Sequence, residues 1–244
     1  LSRDTSFKAI VQVTVVAALH VGILVLSKDL GSALIFFVAY MTMLFVATSS
    51  YLWFGAGIAG GSLAAVAAYY LFPHVRRRVE AWADPWSDIA NKGYQVAQAL
   101  FAIGTGGWFG QGLYKGQPSK TPEVIMDCIF TAVCEELGGI IGICLILICI
   151  ACLLMFIAVA AELYLPFYKL IGIGLTAIYG TQVFLTIGGG IKFIPLTGVT
   201  LPLVSYGGSS VLSTFIIFGI MQELYIKRQN EVERLERIKE RVHY

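Results

Sequence analysis

The chain has 244 residues, of which 57% are hydrophobic and only 13% are charged, and its formal net charge is +2. Ordinary soluble domains are about 45–50% apolar and about 25% charged, so this composition indicates an integral membrane protein. The small net charge provides no basic surface that would indicate nucleic acid as a partner.

Six apolar segments are long enough to cross a bilayer, which takes about 20 residues of helix. They lack the alternation of apolar and polar residues that is typical of barrel strands. We therefore predict an all-α fold, a polytopic membrane helix bundle. In chain order the predicted spans are residues 8–26, 30–48, 53–72, 138–160, 168–188 and 205–226.

Two connections and the tail complete the predicted organisation. Residues 73–127 are rich in charge, tryptophan and glycine, and residues 188–204 are apolar but broken by glycine and proline, which favours an irregular cavity lining. The charged tail, residues 227–244, carries basic residues close to the last span, which predicts a cytoplasmic location. With six spans in the membrane region, residues 1–226, we expect 73–127 to be a large structured extracytoplasmic loop.

Three short patterns do not indicate a function. Gly55-x-Gly57-x-x-Gly60 matches a dinucleotide fingerprint, but it lies inside a predicted span instead of between a strand and a helix. Cys149-x-x-Cys152 lies in an apolar segment, so we interpret it as a pair of buried thiols. The three histidines show no ligand spacing, and no protein metal site is predicted.

Four segments carry a family resemblance. They are KDLGSAL (28–34), RRRVEAWADPWSDIANKGYQVAQALFAIGTGGWFGQGL (76–113), PEVIMDCIFTAVCEELG (122–138) and KFIPLTGVTLPLVSYGGSS (192–210). In order and wording they resemble the SEDS family, the shape, elongation, division and sporulation proteins of the FtsW, RodA and SpoVE group. Because that family typically has ten spans, we expect this chain to be a C-terminal portion that lacks the first four spans and is inactive by itself.

The resemblance implies a peptidoglycan glycosyltransferase of the bacterial plasma membrane. Its substrate would be lipid II, a disaccharide peptide on undecaprenyl pyrophosphate, polymerised into glycan strands during cell division, elongation or sporulation. It also implies a class B penicillin-binding protein as partner. A lipid-linked precursor transporter, or flippase, and a non-catalytic scaffold of the division or elongation complex remain alternatives.

Such a reaction needs a base for the acceptor hydroxyl and stabilisation of a pyrophosphate leaving group. A partly desolvated carboxylate can act as the base, because burial raises its pKa toward the working pH. Cations, or a divalent ion such as Mg²⁺ or Mn²⁺, can stabilise the leaving group. Asp127 matches the proposed catalytic aspartate of the family motif. Residues 124–126 are Val-Ile-Met where the family has a small residue, His and Thr, so Asp127 lacks that polar support.

Further acidic residues and a serine are candidates for supporting roles near Asp127. Because Pro122 suits the first position of a helix, we expect a helix from residue 122 on which Glu123 and Asp127 share a face. Glu123 is therefore a candidate substrate-binding residue that raises a pKa of the pair. Glu135 and Glu136 match the family's E-E-L-G and are expected, with Ser205, to support the site; a wet interfacial acid is the alternative for the two glutamates.

The substrate-binding candidates are basic and amide side chains. Gln95 and Gln98 are candidates for hydrogen bonds to sugar, with bonds that hold the loop as the alternative. A lipid-headgroup anchor is the alternative for each cation. The cations considered for pyrophosphate are Arg76, Arg77, Arg78, Lys92, Lys120 and Lys192. Asp29, at a span end, is interpreted as a helix cap.

Overall fold

The computed structural model describes the backbone of residues 6–242 and the side chains of residues 6–234. Within that range it is built of helices and contains no strand, so the all-α prediction is confirmed. The helices are α1 (Phe7–Leu26), α2 (Leu30–Thr48), α3 (Tyr51–Leu71), α4 (Pro73–Ala83), α5 (Tyr94–Gly106), the 3-10 helix Pro118–Lys120, α6 (Ile129–Leu137), α7 (Gly139–Ala161), α8 (Pro166–Gly190) and α9 (Gly208–Val242).

Six helices in the described part of the chain are long and apolar enough to cross a membrane: α1, α2, α3, α7, α8 and the Gly208–Arg234 part of α9. α9 has 35 residues and is about 52 Å long at 1.5 Å per residue, whereas a bilayer core is about 30 Å thick. Its second half therefore extends beyond the bilayer. The charged tail predicted at 227–244 continues this helix as far as Val242, and residues 243 and 244 lie outside the described part.

The centre of the bundle is α8, which packs against α2 on one side and α7 on the other. Phe156, Tyr179, Ile217 and Met221 form a buried apolar cluster where α7, α8 and α9 meet. α3, by contrast, buries none of its residues. Its apolar surface is of the kind that lipid or other membrane helices cover.

The glycines at 55, 57 and 60, which match a dinucleotide fingerprint, lie inside the continuous helix α3 and form no phosphate-binding turn. Gly57 instead allows close packing, because a Cβ there would overlap the side chain of Met41 on α2. Asp29 caps α2 as expected, since its Oδ1 accepts a hydrogen bond from the N–H of Ser32 over 3.0 Å.

The short helices α5 and α6 form a layer at one end of the bundle. α5 packs against α6, and α6 packs against α7. α6 is amphipathic and buries Phe130 and Cys134, so this layer is fixed on the spans. The chain can enter α5 only because residue 93 is glycine, since a Cβ there would overlap the backbone of Pro85.

The irregular segment after α8 closes the same end. It begins at Ile191 and not at residue 188, because Gly188, Gly189 and Gly190 complete α8. Two side chains of α8 hold it: Thr186 Oγ1 donates to the carbonyl of Val199 over 2.9 Å, and Gln182 Nε2 donates to that of Thr200 over 2.9 Å. Residues 199 and 200 are therefore held against α8.

Candidate active site

An open cleft of about 510 Å³ lies where α4, α5 and the 191–207 segment meet. Its wall combines three cations, two carboxylates and two amides from separate stretches of the sequence. These lining residues are Arg77, Arg78, Asp88, Asn91, Lys92, Gln95 and Asp127. The cleft thus brings the predicted catalytic carboxylate, Asp127, together with three of the predicted phosphate-binding cations, Arg77, Arg78 and Lys92.

Asp127 lies on a turn and not on a helix. The expectation of a helix from Pro122 is wrong: residues 122–128 form consecutive turns, and α6 begins only at Ile129. Glu123 has a φ of 52°, in the left-handed region that a right-handed helix excludes. Its carbonyl accepts a hydrogen bond from the N–H of Met126 over 3.0 Å. Glu123 and Asp127 consequently do not share a helix face.

The Asp127 side chain is nearly buried, with 8% of its surface exposed. Burial raises the pKa of Asp127 above the ordinary value for aspartic acid, and the negative charge of Glu123 raises it further. Hydrogen bonding and the positive charge of Arg78 act in the opposite direction. The result is a carboxylate that holds a proton more readily than an exposed aspartate does, as a general base requires.

Gln95 approaches this carboxylate from α5. Its Nε2 lies 3.5 Å from Asp127 Oδ1 and 3.4 Å from the carbonyl of Pro122. The thiol of Cys128 is also close, and burial raises the pKa of that thiol to about 12. Cys128 is therefore neutral near pH 7, and Asp127 is the group of this pair that can accept a proton.

Residues 124–126 have apolar side chains, and two of their backbone carbonyl groups form hydrogen bonds with the 201–206 segment instead. Ser205 Oγ donates to the carbonyl of Met126 and accepts from the N–H of Leu201 over 2.7 Å. The N–H of Tyr206 donates to the carbonyl of Ile125 over 2.8 Å. Since the side chains of Ile125 and Met126 are exposed, the position of Asp127 depends on the 201–206 segment.

Side chains of α4 join this helix to an earlier part of the 191–207 segment. Arg78 Nη1 donates to the carbonyl of Thr197 over 2.9 Å, and Trp82 Nε1 donates to that of Lys192 over 3.1 Å. Gly198 has a φ of 78°, and a Cβ there would lie 3.5 Å from Arg78 Nη2. The guanidinium of Arg78 is therefore held on the cleft wall.

The other predicted cations are placed differently. Arg76 is exposed and pairs with Glu80 over 2.9 Å, outside the cleft lining. Lys92 lines the cleft but pairs with the same Glu80 over 2.9 Å. Lys120 is exposed on the 3-10 helix, and the half-buried Lys192 does not line the cleft.

The predicted supporting glutamates lie away from the cleft lining. Glu135 Oε1 accepts from the N–H of Gln117 over 2.9 Å, and Glu136 Oε1 accepts from the N–H of Tyr114 over 3.2 Å. Neither forms an ion pair with an arginine among the side chains described, and Glu135 is buried, unlike a wet interfacial acid. Both hold the loop before α6. Gln98, on α5, is half-buried and does not line the cleft.

Sequence reasoning missed Asp88 and Asn91. They belong to the turn between α4 and α5, where Asp88 Oδ1 accepts from Asn91 Nδ2 over 2.8 Å. Aspartate and asparagine are common in turns for this local reason. Nothing in the pattern indicated that this turn faces Asp127.

The family profile described as cell cycle protein, FtsW/RodA/SpoVE, matches residues 2–230. The peptidoglycan glycosyltransferase RodA of Mycobacterium tuberculosis is 37% identical over 207 residues, which are 84% of this chain and 44% of that protein. The probable peptidoglycan glycosyltransferase FtsW of Aliivibrio salmonicida is 34% identical over 238 residues, 94% of this chain and 57% of that protein. The chain spans about half the length of these relatives.

One solved structure has a similar fold. It is described as "Structural coordination of polymerization and crosslinking by a peptidoglycan synthase complex". The matched chain is 25% identical with a TM-score of 0.70, and the match covers 88% of this chain and 61% of the other.

Proposed function

This chain belongs to the FtsW, RodA and SpoVE family of multi-pass bacterial plasma-membrane proteins, and we propose that the complete protein is a peptidoglycan glycosyltransferase that polymerises lipid II. The observation that carries this proposal is the placement of the nearly buried Asp127 in one cleft with Arg77 and Arg78. A base and a cationic leaving-group site are the two elements that the reaction requires.

Asp127 is the general base in this proposal. The 4-hydroxyl oxygen of the acceptor sugar attacks the anomeric carbon of the donor, and Asp127 takes the hydroxyl proton. The bond between that carbon and the pyrophosphate oxygen breaks, and its electron pair leaves with the pyrophosphate. Burial raises the pKa of Asp127 toward the working pH, which strengthens its carboxylate as a base.

Arg77 and Arg78 stabilise the charge that develops on the pyrophosphate. Guanidinium groups suit phosphate because they can donate two parallel hydrogen bonds. Arg78 donates one N–H to Thr197, which fixes its position and leaves other donors for substrate. Lys92 contributes less, because its ammonium is already paired with Glu80.

A divalent cation is a further proposal. Among the described residues, no three His, Cys, Asp or Glu side chains group as metal ligands. With Asp127 acting as the base, Asp88 is the other carboxylate that lines the cleft, and Mg²⁺ is commonly held by one or two carboxylates, with water and substrate phosphates as the other ligands. Mg²⁺ or Mn²⁺ would accordingly enter with the pyrophosphate and neutralise part of its charge.

The proposed protein partner is a class B penicillin-binding protein that crosslinks the new strand. The support is the structural relative, whose description joins polymerisation and crosslinking in one synthase complex. Which cellular process the protein serves, division, elongation or sporulation, follows from the identity of that partner.

The test uses the complete protein, reconstituted with its partner in proteoliposomes and supplied with fluorescent lipid II. We expect glycan strands on a gel from the wild type and none from Asp127→Asn. Translocation of lipid II without polymer would favour the transporter. Normal polymerisation by Asp127→Asn would refute the role of Asp127, and absence of both activities in the wild type would favour the scaffold.

A further inference from the structure

The loop between α5 and the 3-10 helix, residues 107–117, exposes an unusual set of side chains. We call it the aromatic loop. Trp108 is 67% exposed, Phe109 85% and Tyr114 94%, and Leu113 is exposed beside them. A contiguous set of large apolar side chains on a surface marks a site of interaction. None of them lines the cleft, so the proposed reaction does not account for them.

The backbone of the aromatic loop is bonded to the first turn of a membrane span. The N–H of Gly139 donates to the carbonyl of Gly107 over 2.8 Å, and the N–H of Ile140 donates to that of Trp108 over 3.3 Å. The first N–H groups of a helix have no partner within the helix, so the loop supplies the acceptors that α7 lacks. A Cβ on Gly139 would lie 3.9 Å from the Trp108 ring. The loop therefore lies at the level where α7 enters the bilayer.

Carbonyl groups at the end of α6 fix the conformation of the aromatic loop. The N–H groups of Gln111 and Gly112 donate to the carbonyls of Glu135 and Glu136, each over 2.9 Å. The two glutamate carboxylates accept from the N–H groups of Gln117 and Tyr114, as described above. The four bonds hold the loop along most of its length.

Glycine is required where the aromatic loop meets α6. Gly110 has a φ of 76°, and a Cβ there would overlap the carbonyl of Glu136. The aromatic side chains are thus presented outward by a rigid backbone, and the two glutamates act on this loop instead of on the cleft.

We propose that the aromatic loop is a membrane anchor, whose Trp108, Phe109 and Tyr114 insert into the boundary between headgroups and acyl chains of the phospholipid leaflet that α7 enters. Tryptophan and tyrosine are enriched at that depth because their rings are apolar at one end and polar at the other. The exposed Lys115 follows directly, and its ammonium can reach lipid phosphates while its stem stays on apolar surface.

A phospholipid surface fits this loop better than a protein partner, because the loop continues a lipid-facing surface. Ile140 and Ile141 of the first turn of α7 are exposed next to it. Side chains at the start of a span face lipid unless another helix covers them. The anchor joins α5 to α6, and so it would hold the layer that carries Gln95 and Asp127 against the membrane surface. This inference goes beyond the proposed reaction and does not depend on it.

The test measures the depth of Trp108 by fluorescence quenching. The complete protein, without a partner, is placed in nanodiscs of phosphatidylcholine and phosphatidylglycerol, with and without bromine near the glycerol end of the acyl chains. The emission of Trp108 is the difference between the wild type and Trp108→Phe, a mild change at an exposed position. Trp53→Phe gives the matched positive control, because Trp53 lies in the span α3.

We expect brominated lipid to remove about half or more of the Trp108 emission, as for a ring at the interface, and aqueous iodide to remove little of it. Quenching by iodide without quenching by bromine would overturn the anchor, because the ring would then face water. Protection from both quenchers would overturn it as well and would indicate that protein covers the loop. The measurement does not use lipid II, so its outcome is distinct from that of the polymerisation assay.

Discussion

The side-chain amide of Gln95 lies 3.5 Å from the carboxylate of Asp127, although the two residues are 32 positions apart in the chain. The same amide faces the carbonyl of Pro122, so Gln95 is engaged with the turn that carries Asp127. Gln95 also lines the cleft, so positioning of the carboxylate and hydrogen bonding to sugar are two roles open to this amide.

Gln95→Ala separates these two roles. If Gln95 positions Asp127, the variant lowers kcat for glycan polymerisation about tenfold or more and changes the KM for lipid II little. A role in sugar binding predicts the reverse, a raised KM with kcat retained. Gln98→Ala, about one turn further along α5 and outside the cleft lining, provides the comparison and should change both parameters less.

If Asp127 is the proposed base, Asp127→Asn should abolish glycan polymerisation by the complete protein and stabilise the fold at neutral pH. Loss of a general base costs about 100-fold or more in rate. Because the pKa of Asp127 is raised in the folded state, the protonated carboxyl stabilises the fold relative to the ionised one. This contribution to stability is complete below the pKa of the unfolded chain, about 3.9, and is lost as pH rises through the pKa of the folded state. Ionising the buried carboxylate costs stability, and asparagine avoids that cost because its side chain does not ionise.

Thermal unfolding followed by size-exclusion chromatography in detergent measures this effect. The Tm of Asp127→Asn should exceed that of the wild type at pH 7, and the difference should shrink toward pH 4. Asp84→Asn is the control, since Asp84 is exposed and outside the cleft lining. A lower Tm for Asp127→Asn than for the wild type at pH 7 would contradict the assigned burial.

Glu123→Gln should move the acidic limb of the pH–rate profile to lower pH. The negative charge of Glu123 raises the pKa of Asp127, so removing that charge lets Asp127 ionise at lower pH and act as a base there. The profile of kcat/KM against pH measures the shift. Glu136→Gln, which removes a carboxylate that does not line the cleft, serves as the control for a general change in surface charge.

The spans could be predicted from sequence because the bilayer fixes both their length and their composition. The cleft could not, because its wall is assembled by contacts between distant residues. Arg78 and Thr197, for example, are 119 positions apart. From the sequence, Arg76 and Arg78 were equally good candidates for phosphate binding. In the structure Arg78 lines the cleft, whereas Arg76 forms an ion pair with Glu80 outside it.

The structure has turns where a helix was expected from residue 122, and contacts with a distant part of the chain accompany this difference. Proline favours the first position of a helix, but the positive φ of Glu123 breaks the path directly afterwards. The turn that follows Glu123 is held by hydrogen bonds to Ser205 and Tyr206, and a pattern within residues 122–138 cannot show them.

Ser205→Ala should destabilise the turn that carries Asp127. The change leaves the carbonyl of Met126 and the N–H of Leu201 without their side-chain partner, at a cost of about 1–3 kcal/mol for a buried unsatisfied group. We expect a lower Tm and a lower kcat, since Asp127 follows Met126 directly. Ser209→Ala, at an exposed serine at the start of α9, is the matched control. Equal effects of the two substitutions would show that Ser205 does not position the turn.

The three consecutive arginines of α4 provide an internal comparison for pyrophosphate binding. Arg77 and Arg78 line the cleft, whereas Arg76 pairs with Glu80 outside it. Replacing a guanidinium that binds phosphate removes a charge-assisted bond of about 1.5–3 kcal/mol, so Arg77→Ala and Arg78→Ala should each reduce kcat/KM about tenfold or more. Arg76→Ala should have a smaller effect, because an exposed i,i+4 pair contributes little.

Lysine substitutions at 77 and 78 then test geometry: lysine keeps the charge but cannot form two parallel hydrogen bonds, so partial recovery of kcat/KM supports phosphate contact. If Arg76→Ala were the most damaging of the three, the assignment of Arg77 and Arg78 would be wrong.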